Sequence, residues 1–251
     1  MRMESDSYMS AAWVIVPILP VVASILFFTG IFLTALSGGF VTTPPTPGTT
    51  PMFAAGFAGL LAIFVVGIFA VGILYVFMLY KLVKRRNAHF SRQRFLYEDL
   101  INMAKDLASK KGVDLSLPLN NLDRTHREAM VEETEKSAAL WVILTLVTGI
   151  AGLYVFYFLM KDFFKHERRE DLFIDDLNRA LITNGFTVNL PRRNVPIPDR
   201  SFILYFILSF ITFGLFQIYW LYVLLEDPNN HFRQQALIED TIISQVAPSL
   251  S

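Results

Sequence analysis

The chain has 251 residues, of which 53% are hydrophobic; it carries 22 basic and 22 acidic side chains and no cysteine. The apolar content exceeds the roughly 45–50% of soluble domains, and the balanced charge argues against a nucleic-acid-binding protein. The lack of cysteine excludes disulfides and thiolate metal sites. This composition indicates an integral membrane protein.

Four long stretches contain no Asp, Glu, Lys or Arg, and about 20 such residues suffice for a helix to cross a bilayer. They are residues 11–36, 52–80, 138–160 and 202–225. The first stretch is longer than the apolar part of a signal peptide, roughly 7–15 residues, and follows Glu4 and Asp6. We therefore interpret it as a spanning helix.

An uncharged loop joins the first two hydrophobic stretches. Residues 38–51 are rich in Thr, Pro and Gly, which predicts an extended conformation. Residues 81–136 contain 12 Lys and Arg, so the positive-inside rule places this segment and the N-terminus in the cytoplasm and the loop outside. We expect a multi-pass protein of the cell membrane.

One spacing occurs three times along the chain: a glycine, a tyrosine eight residues later, a histidine nine residues after that, and then an acidic pair. Three of the four histidines obey it. The signature residues are Gly72, Tyr80, His89 and Asp99, then Gly149, Tyr157, His166 and Asp176, and finally Gly214, Tyr222, His231 and Asp240. We interpret the pattern as three tandem repeats of a hydrophobic segment plus a cytoplasmic amphipathic helix.

The predicted fold is therefore all-α and polytopic. Its units are a spanning helix with the outer loop (residues 1–51), a second spanning helix with the first cytoplasmic helix (52–136), the second repeat (137–199) and the third repeat (200–251).

The third and fourth hydrophobic stretches allow two topologies. If both cross the membrane, residues 161–200 and their eight Lys and Arg lie outside, against the usual charge bias. If each breaks at its repeat glycine, the arms of about 11 residues reach only halfway across a core of roughly 30 Å. The stretches would then be re-entrant hairpins, and Thr148, Thr212 and Gln217 would supply hydrogen bonds to the backbone at the turns.

The equivalent histidines raise the alternative of a metal site, because neutral imidazoles bind Zn and Fe. However, each acidic pair lies about 180–280° around the helix from its own histidine, so no single helix assembles both. We therefore expect no metal and no cofactor. We interpret His89, His166 and His231 as residues that hold the aromatic end of each hydrophobic segment at the level of the lipid headgroups.

Two further local patterns lead to predictions. Lys84, Arg85 and Arg86 follow the second hydrophobic stretch. They are predicted either to contact anionic lipid headgroups or to act only as the basic flank that stops the transfer of the preceding helix. Asp227 and Pro228 are interpreted as the N-cap and first residue of a helix.

The sequence contains no familiar catalytic motif, such as HExxH, GxSxG, a P-loop or GxGxxG. The hydrophobic stretches also lack the ionisable groups of ion-coupled transporters. We therefore expect a non-enzymatic membrane scaffold or assembly protein that forms a homo-oligomer or binds a membrane-protein partner. The alternatives are a transporter or channel for a neutral or lipidic solute, and a metal-dependent membrane enzyme that uses the repeated histidines.

The fourth hydrophobic stretch and the helix after it resemble a family of small prokaryotic, often archaeal, membrane proteins grouped as a domain of unknown function. The matching residues are Thr212, Gly214, Tyr219, Trp220, Leu221 and Tyr222. Phe216 stands where the family has tyrosine. The resemblance implies a membrane location and a prokaryotic source, and it implies no activity.

Overall fold

A computed structural model describes residues 2–36 and 52–246 of the chain. Every regular element within these residues is helical, which confirms the all-α prediction. The predicted outer loop lies outside the described residues. The helices are α1 Arg2–Ser5, a 3₁₀ helix Ala11–Ile15, α2 Leu19–Thr34, α3 Met52–Lys111, α4 Ser116–Glu132, α5 Ala138–Thr148, α6 Ala151–Thr183, α7 Phe202–Ile211 and α8 Leu215–Val246.

Two stretches of helix, Ala11–Thr34 and Gly56–Lys111, are long and apolar enough to cross a membrane. They pack against each other through α2 and the first half of α3, where the rings of Phe27 and Phe64 stack with centroids 4.5 Å apart. Most of their other apolar side chains face outward. Such an uncovered apolar surface is what a lipid environment requires.

The third and fourth hydrophobic stretches each break into a helical hairpin. Helix α5 ends at Gly149, which has φ 66°, and the turn between α7 and α8 contains Gly214 with φ 89°. The hydroxyl groups of Thr148 and Thr212 accept hydrogen bonds from backbone N–H groups at the start of the next helix, at 3.2 and 2.9 Å. Both stretches therefore break at the predicted glycines, with the two threonines in contact with the backbone at the turns, whereas re-entry into a membrane stays a prediction.

The hairpin turns carry large exposed apolar side chains. Val147 and Phe210 lie just before the turns and are mostly exposed, and Phe213, at the tip of the second turn, is 98% exposed. Both first arms, α5 and α7, are short apolar helices. The first repeat copy differs, because α3 runs without interruption through Gly72.

The second half of α3 forms a helical bundle with α6 and α8. Helix α4 packs along α3 and α6 and buries Leu122 completely. An apolar core near the hairpins includes Leu82, Leu159 and Leu224. A second core lies towards the other end of the bundle and includes residues such as Tyr97 and Leu177. The polar side chains of the candidate site lie between these two cores.

Helix α8 continues through Pro228, so the prediction that a helix begins at Asp227 and Pro228 is wrong. Asp227 forms an ion pair with Arg200 instead of capping a helix. A proline inside a helix leaves one carbonyl without its N–H donor. Arg85 of α3 donates to that carbonyl, which explains why the helix is not interrupted.

Candidate metal centre

Three histidines from three helices meet inside the bundle. The Nε2 atom of His89 lies 3.2 Å from Nε2 of His166 and 3.1 Å from Nε2 of His231. Their ligand atoms all lie within 4.8 Å of one another. Each histidine is 0% exposed. This burial contradicts the interpretation of these residues as headgroup-level side chains.

The second ring nitrogen of each histidine contacts a carboxylate. The Nδ1 pairs are His89 with Asp6 at 2.7 Å, His166 with Glu133 at 3.0 Å and His231 with Glu167 at 2.9 Å. A carboxylate accepts hydrogen bonds, so each pairing places the ring proton on Nδ1. In this tautomer all three Nε2 atoms are acceptors, and that of His89 lies close to those of the other two histidines. Metal-binding histidines usually have carboxylate partners of this kind.

These three carboxylates come from parts of the chain outside the repeated acidic pairs. Asp6 precedes the first hydrophobic stretch, and its segment is fixed where Met9 N–H donates to Asn229 Oδ1 at 3.2 Å and Asn229 Nδ2 donates to Met9 O at 2.8 Å. Glu133 follows the end of α4, and Glu167 is adjacent to one of the histidines on α6. Nothing in the repeat spacing predicts these contacts.

Three arginines surround the carboxylates, and each also contacts a second acid. Arg92 bridges Asp6 and Glu239, Arg169 bridges Glu133 and Glu132, and Arg193 contacts Glu167, Glu170 and Asp171. Arg193 Nη1 also lies 3.3 Å from Nδ1 of His231, but the carboxylate of Glu167 is nearer to that nitrogen. Seven carboxylates therefore share three guanidinium groups.

The buried groups of the site are short of positive charge. Burial lowers the pKa of His89 to about 4, so its imidazole is neutral at physiological pH. Burial raises the pKa of Glu167 to about 7, even though Arg193 opposes this shift. Burial alone would raise the pKa of Asp6, but the hydrogen bond from His89 and the charge of Arg92 lower it below its ordinary value. A cation at the centre would compensate the excess of carboxylates.

The spacing of the imidazoles fits a small transition-metal ion. Zinc binds imidazole nitrogen at about 2.0–2.1 Å, which for a tetrahedral ion corresponds to about 3.3 Å between two ligand nitrogens. The two distances from His89 Nε2, 3.1 and 3.2 Å, are close to this value. A set of imidazole and carboxylate ligands suits Zn²⁺, Co²⁺ and Fe²⁺.

The acidic residues of the repeat signature do not reach the histidines. Asp99 and Asp240 lie on exposed positions of α3 and α8. Asp176 is buried, but it contacts Asn121 of α4 and Arg179 of its own helix. This agrees with the helical geometry that separated each acidic pair from its histidine.

The repeat tyrosines occupy similar environments on the three long helices. Tyr80, Tyr157 and Tyr222 are all partly exposed, two helical turns or more before their histidines. They remain available as a belt of interfacial aromatic residues.

The fold separates the three basic residues that were predicted to contact lipid headgroups. Arg85 and Arg86 are 3% and 0% exposed. Arg85 contacts backbone carbonyls of α8 and the side chain of Asn229, and Arg86 pairs with Asp162. Their guanidinium groups face the interior of the bundle, because both residues lie on the packed face of α3. Lys84 alone of the three is exposed.

The sequence does contain a pattern that predicts some of the residues around the three histidines. In the first two repeat copies, an arginine and an amide or acid follow the histidine by three and four residues, as Arg92-Gln93 and Arg169-Glu170. Residues three or four apart share one helix face. In these two copies the pattern indicates that the helix face carrying the histidine is polar.

The second helical hairpin, formed by α7 and α8, lies in a segment that matches a protein family. Residues 200–246 match the family described as a domain of unknown function, DUF4234. The match covers all of α7 and α8, with Gly214 and His231. It agrees with the expected likeness to a family of unknown function. No curated protein and no solved structure matches the chain.

Proposed function

We propose that the chain is a membrane-anchored scaffold whose helical bundle is joined by one divalent transition-metal ion bound to His89, His166 and His231. One observation supports this most directly. The carboxylate at each Nδ1 directs the lone pair of each Nε2 towards the same point.

The arrangement is unfavourable without a cation. Three neutral imidazoles with protons on Nδ1 leave three acceptors facing one another, and buried polar groups without partners cost about 1–3 kcal/mol each. Protonating one ring would supply a donor, but it would create a charge in a fully buried site. A metal ion satisfies all three acceptors at once.

The proposal includes a topology in which the polar halves of the three long helices lie in the cytoplasm. The contacts of His89 with Asp6, His166 and His231 support it, because they gather these segments at one end of the bundle. In this arrangement α2 and α3 cross the membrane, and the two hairpins enter and leave one leaflet. The equal register of the histidines supports the origin of the three units as tandem repeats.

A scaffold fits this geometry better than an enzyme does. The histidines are enclosed, so a substrate has no direct access to the bound ion. Each long helix also carries one exposed apolar residue six positions after its histidine: Phe95, Leu172 and Leu237 are 66%, 57% and 61% exposed. These residues offer docking points for a membrane-protein partner or another copy of the chain.

Metal analysis tests the proposal. Protein purified in mild detergent and dialysed against Zn²⁺ should retain one ion per chain, and His166→Gln should lose it. The matched control is His126→Gln, which changes the fourth histidine, located on α4 outside the cluster. Failure of the wild-type chain to retain a divalent ion, or equal retention by the two variants, would refute the proposal.

A further inference from the structure

A second polar layer lies one helical turn beyond the histidines. Gln93, Glu170 and Gln235 each follow a repeat histidine by four residues, and each is 1% exposed. Because residues four apart on a helix share one face, this layer points into the bundle beside the three imidazoles. It contains one acid and two amides.

The hydrogen bonds of this layer form a chain that ends at the carboxyl group of Glu170. Gln235 Nε2 donates to Gln93 Oε1, and Gln93 Nε2 donates to Glu170 Oε1 at 3.2 Å. Arg193 donates to Glu170 Oε2. Gln93 and Arg193 therefore hold the two oxygens of the Glu170 carboxyl group in place, and Gln235 in turn holds Gln93.

The carboxyl group of Glu170 lies beside the histidine cluster. Glu170 Oε2 lies 3.5 Å from Nε2 of His231. Two acceptor atoms this close repel each other unless a proton or a metal ion lies between them. The position of Glu170 therefore makes it part of the same centre.

We propose that Glu170 is the fourth ligand of the metal ion, which makes the centre a closed site of three imidazole nitrogens and one carboxylate oxygen. This inference rests on the proposed function. The ion would lie between the imidazole layer and Glu170. Glu170 would have to move towards the axis of the bundle to complete the site, because the group of closely spaced ligand atoms consists of the three histidines alone.

The ligand set selects the class of metal. Four protein ligands without an open position are typical of structural zinc sites, whereas catalytic sites keep a place for water. A carboxylate oxygen has lone pairs for both the ion and the guanidinium group of Arg193. The centre would therefore take Zn²⁺ and accept Co²⁺ as its spectroscopic substitute.

Cobalt substitution tests the role of Glu170. The wild-type chain loaded with Co²⁺ should show the intense d–d absorption of a four-coordinate ion. ENDOR in D₂O should detect exchangeable protons only on the Nδ1 atoms of the imidazoles and none from a coordinated water molecule. Glu170→Gln should weaken this absorption and raise the Kd for Zn²⁺ by at least about 100-fold, since even changes to residues behind the ligands cost about 10–100-fold. The matched control, Glu98→Gln at an exposed position of α3, should leave the Co²⁺ absorption and the Kd for Zn²⁺ unchanged.

The possible results separate the two proposals. Normal absorption and a Zn²⁺ affinity within twofold of wild type in Glu170→Gln would overturn the role of Glu170 and leave the three-histidine site intact. An exchangeable proton from a bound water in the wild-type sample would do the same, and this measurement does not depend on whether the variant folds. A wild-type chain that binds neither Co²⁺ nor Zn²⁺ would remove the proposed function itself.

Discussion

The guanidinium group of Arg85 donates from Nη2 to the carbonyl oxygen of Leu224 at 2.8 Å. In an uninterrupted helix this oxygen would accept the N–H of the residue four positions later, but that residue is Pro228. Arg85 also donates to the next carbonyl, that of Leu225, from both Nη atoms. A side chain of α3 thus replaces the backbone donor that α8 lacks.

This relationship predicts coupling between Arg85 and Pro228. Arg85→Met should destabilise the wild-type chain more than it destabilises a Pro228→Ala chain, in which the backbone N–H is restored. The expected coupling in a double-mutant cycle is about 0.5–3 kcal/mol. Unfolding in detergent measures it, with Lys84→Met as the control at an exposed neighbour. Additive effects of the two changes would contradict this explanation.

The carboxylate of Glu133 is expected to raise metal affinity through His166. Glu133→Gln keeps the shape of the side chain but removes the charge that orients the imidazole, so the Kd for Zn²⁺ should rise by about 10–100-fold. Competition with a chromophoric chelator measures the change. The neighbouring Glu132, which is 53% exposed, provides the control, because Glu132→Gln should alter the affinity by less than about twofold.

Metal binding should stabilise the folded chain. An ion that binds only the native state adds about 2.7 kcal/mol at a free concentration of 100 times its Kd. For a chain of this size, that gain corresponds to an increase in Tm of about 5–10 °C. Thermal unfolding with Zn²⁺ and with a chelator measures it. His166→Gln should show no such increase, and an equal shift in that variant would indicate binding elsewhere.

The hairpin glycines should be much less tolerant of substitution than their counterpart in α3. Gly149→Ala and Gly214→Ala force a Cβ into backbone with positive φ, at a cost of about 1–2 kcal/mol each. Gly72 occupies the equivalent repeat position inside a regular helix, where an added Cβ meets no atom within 4 Å. Gly72→Ala should therefore be neutral or stabilising by up to about 1 kcal/mol.

Detergent unfolding of the three variants provides the comparison. If Gly72→Ala is as costly as the other two substitutions, backbone conformation at the turns is not the cause.

Thiol labelling of this naturally cysteine-free chain tests the topology. Asn120→Cys and Asn194→Cys change exposed positions at the polar end of the bundle, so both should react with a hydrophilic reagent from the same side of a sealed vesicle. Phe213→Cys lies at the exposed tip of an apolar hairpin and should be protected by lipid. Labelling of Asn120 and Asn194 from opposite sides would exclude the proposed arrangement of the hairpins.

The elements of the fold follow from local sequence rules. Long runs without charge predict the helices. A glycine one or two residues after a threonine predicts the breaks at Gly149 and Gly214, since the threonine hydroxyl can accept a hydrogen bond at the turn. Gly72, the equivalent glycine of the first copy, has no threonine beside it and lies in a helix that remains regular. A glycine permits a turn but does not impose one.

Only part of the candidate site could be predicted from the sequence. The register of His89, His166 and His231 placed the residues on equivalent helix positions, but their convergence depends on how α3, α6 and α8 pack. The partners Asp6 and Glu133 come from segments distant along the chain, and helical periodicity carries no information about such contacts. Tertiary packing, and not local pattern, decides which carboxylates reach an imidazole.

The histidine cluster also has a consequence for synthesis on the ribosome. His89 contacts Asp6, 83 residues earlier in the chain, and His231, 142 residues later. Contacts so far apart in sequence form late, because the entropy of closing the intervening loops must be lost first. The centre therefore cannot be completed until α8 has been translated. Until α8 is made, His89 and His166 of the nascent chain lack the third imidazole. Binding of the proposed metal ion would then be the last step in the folding of the chain.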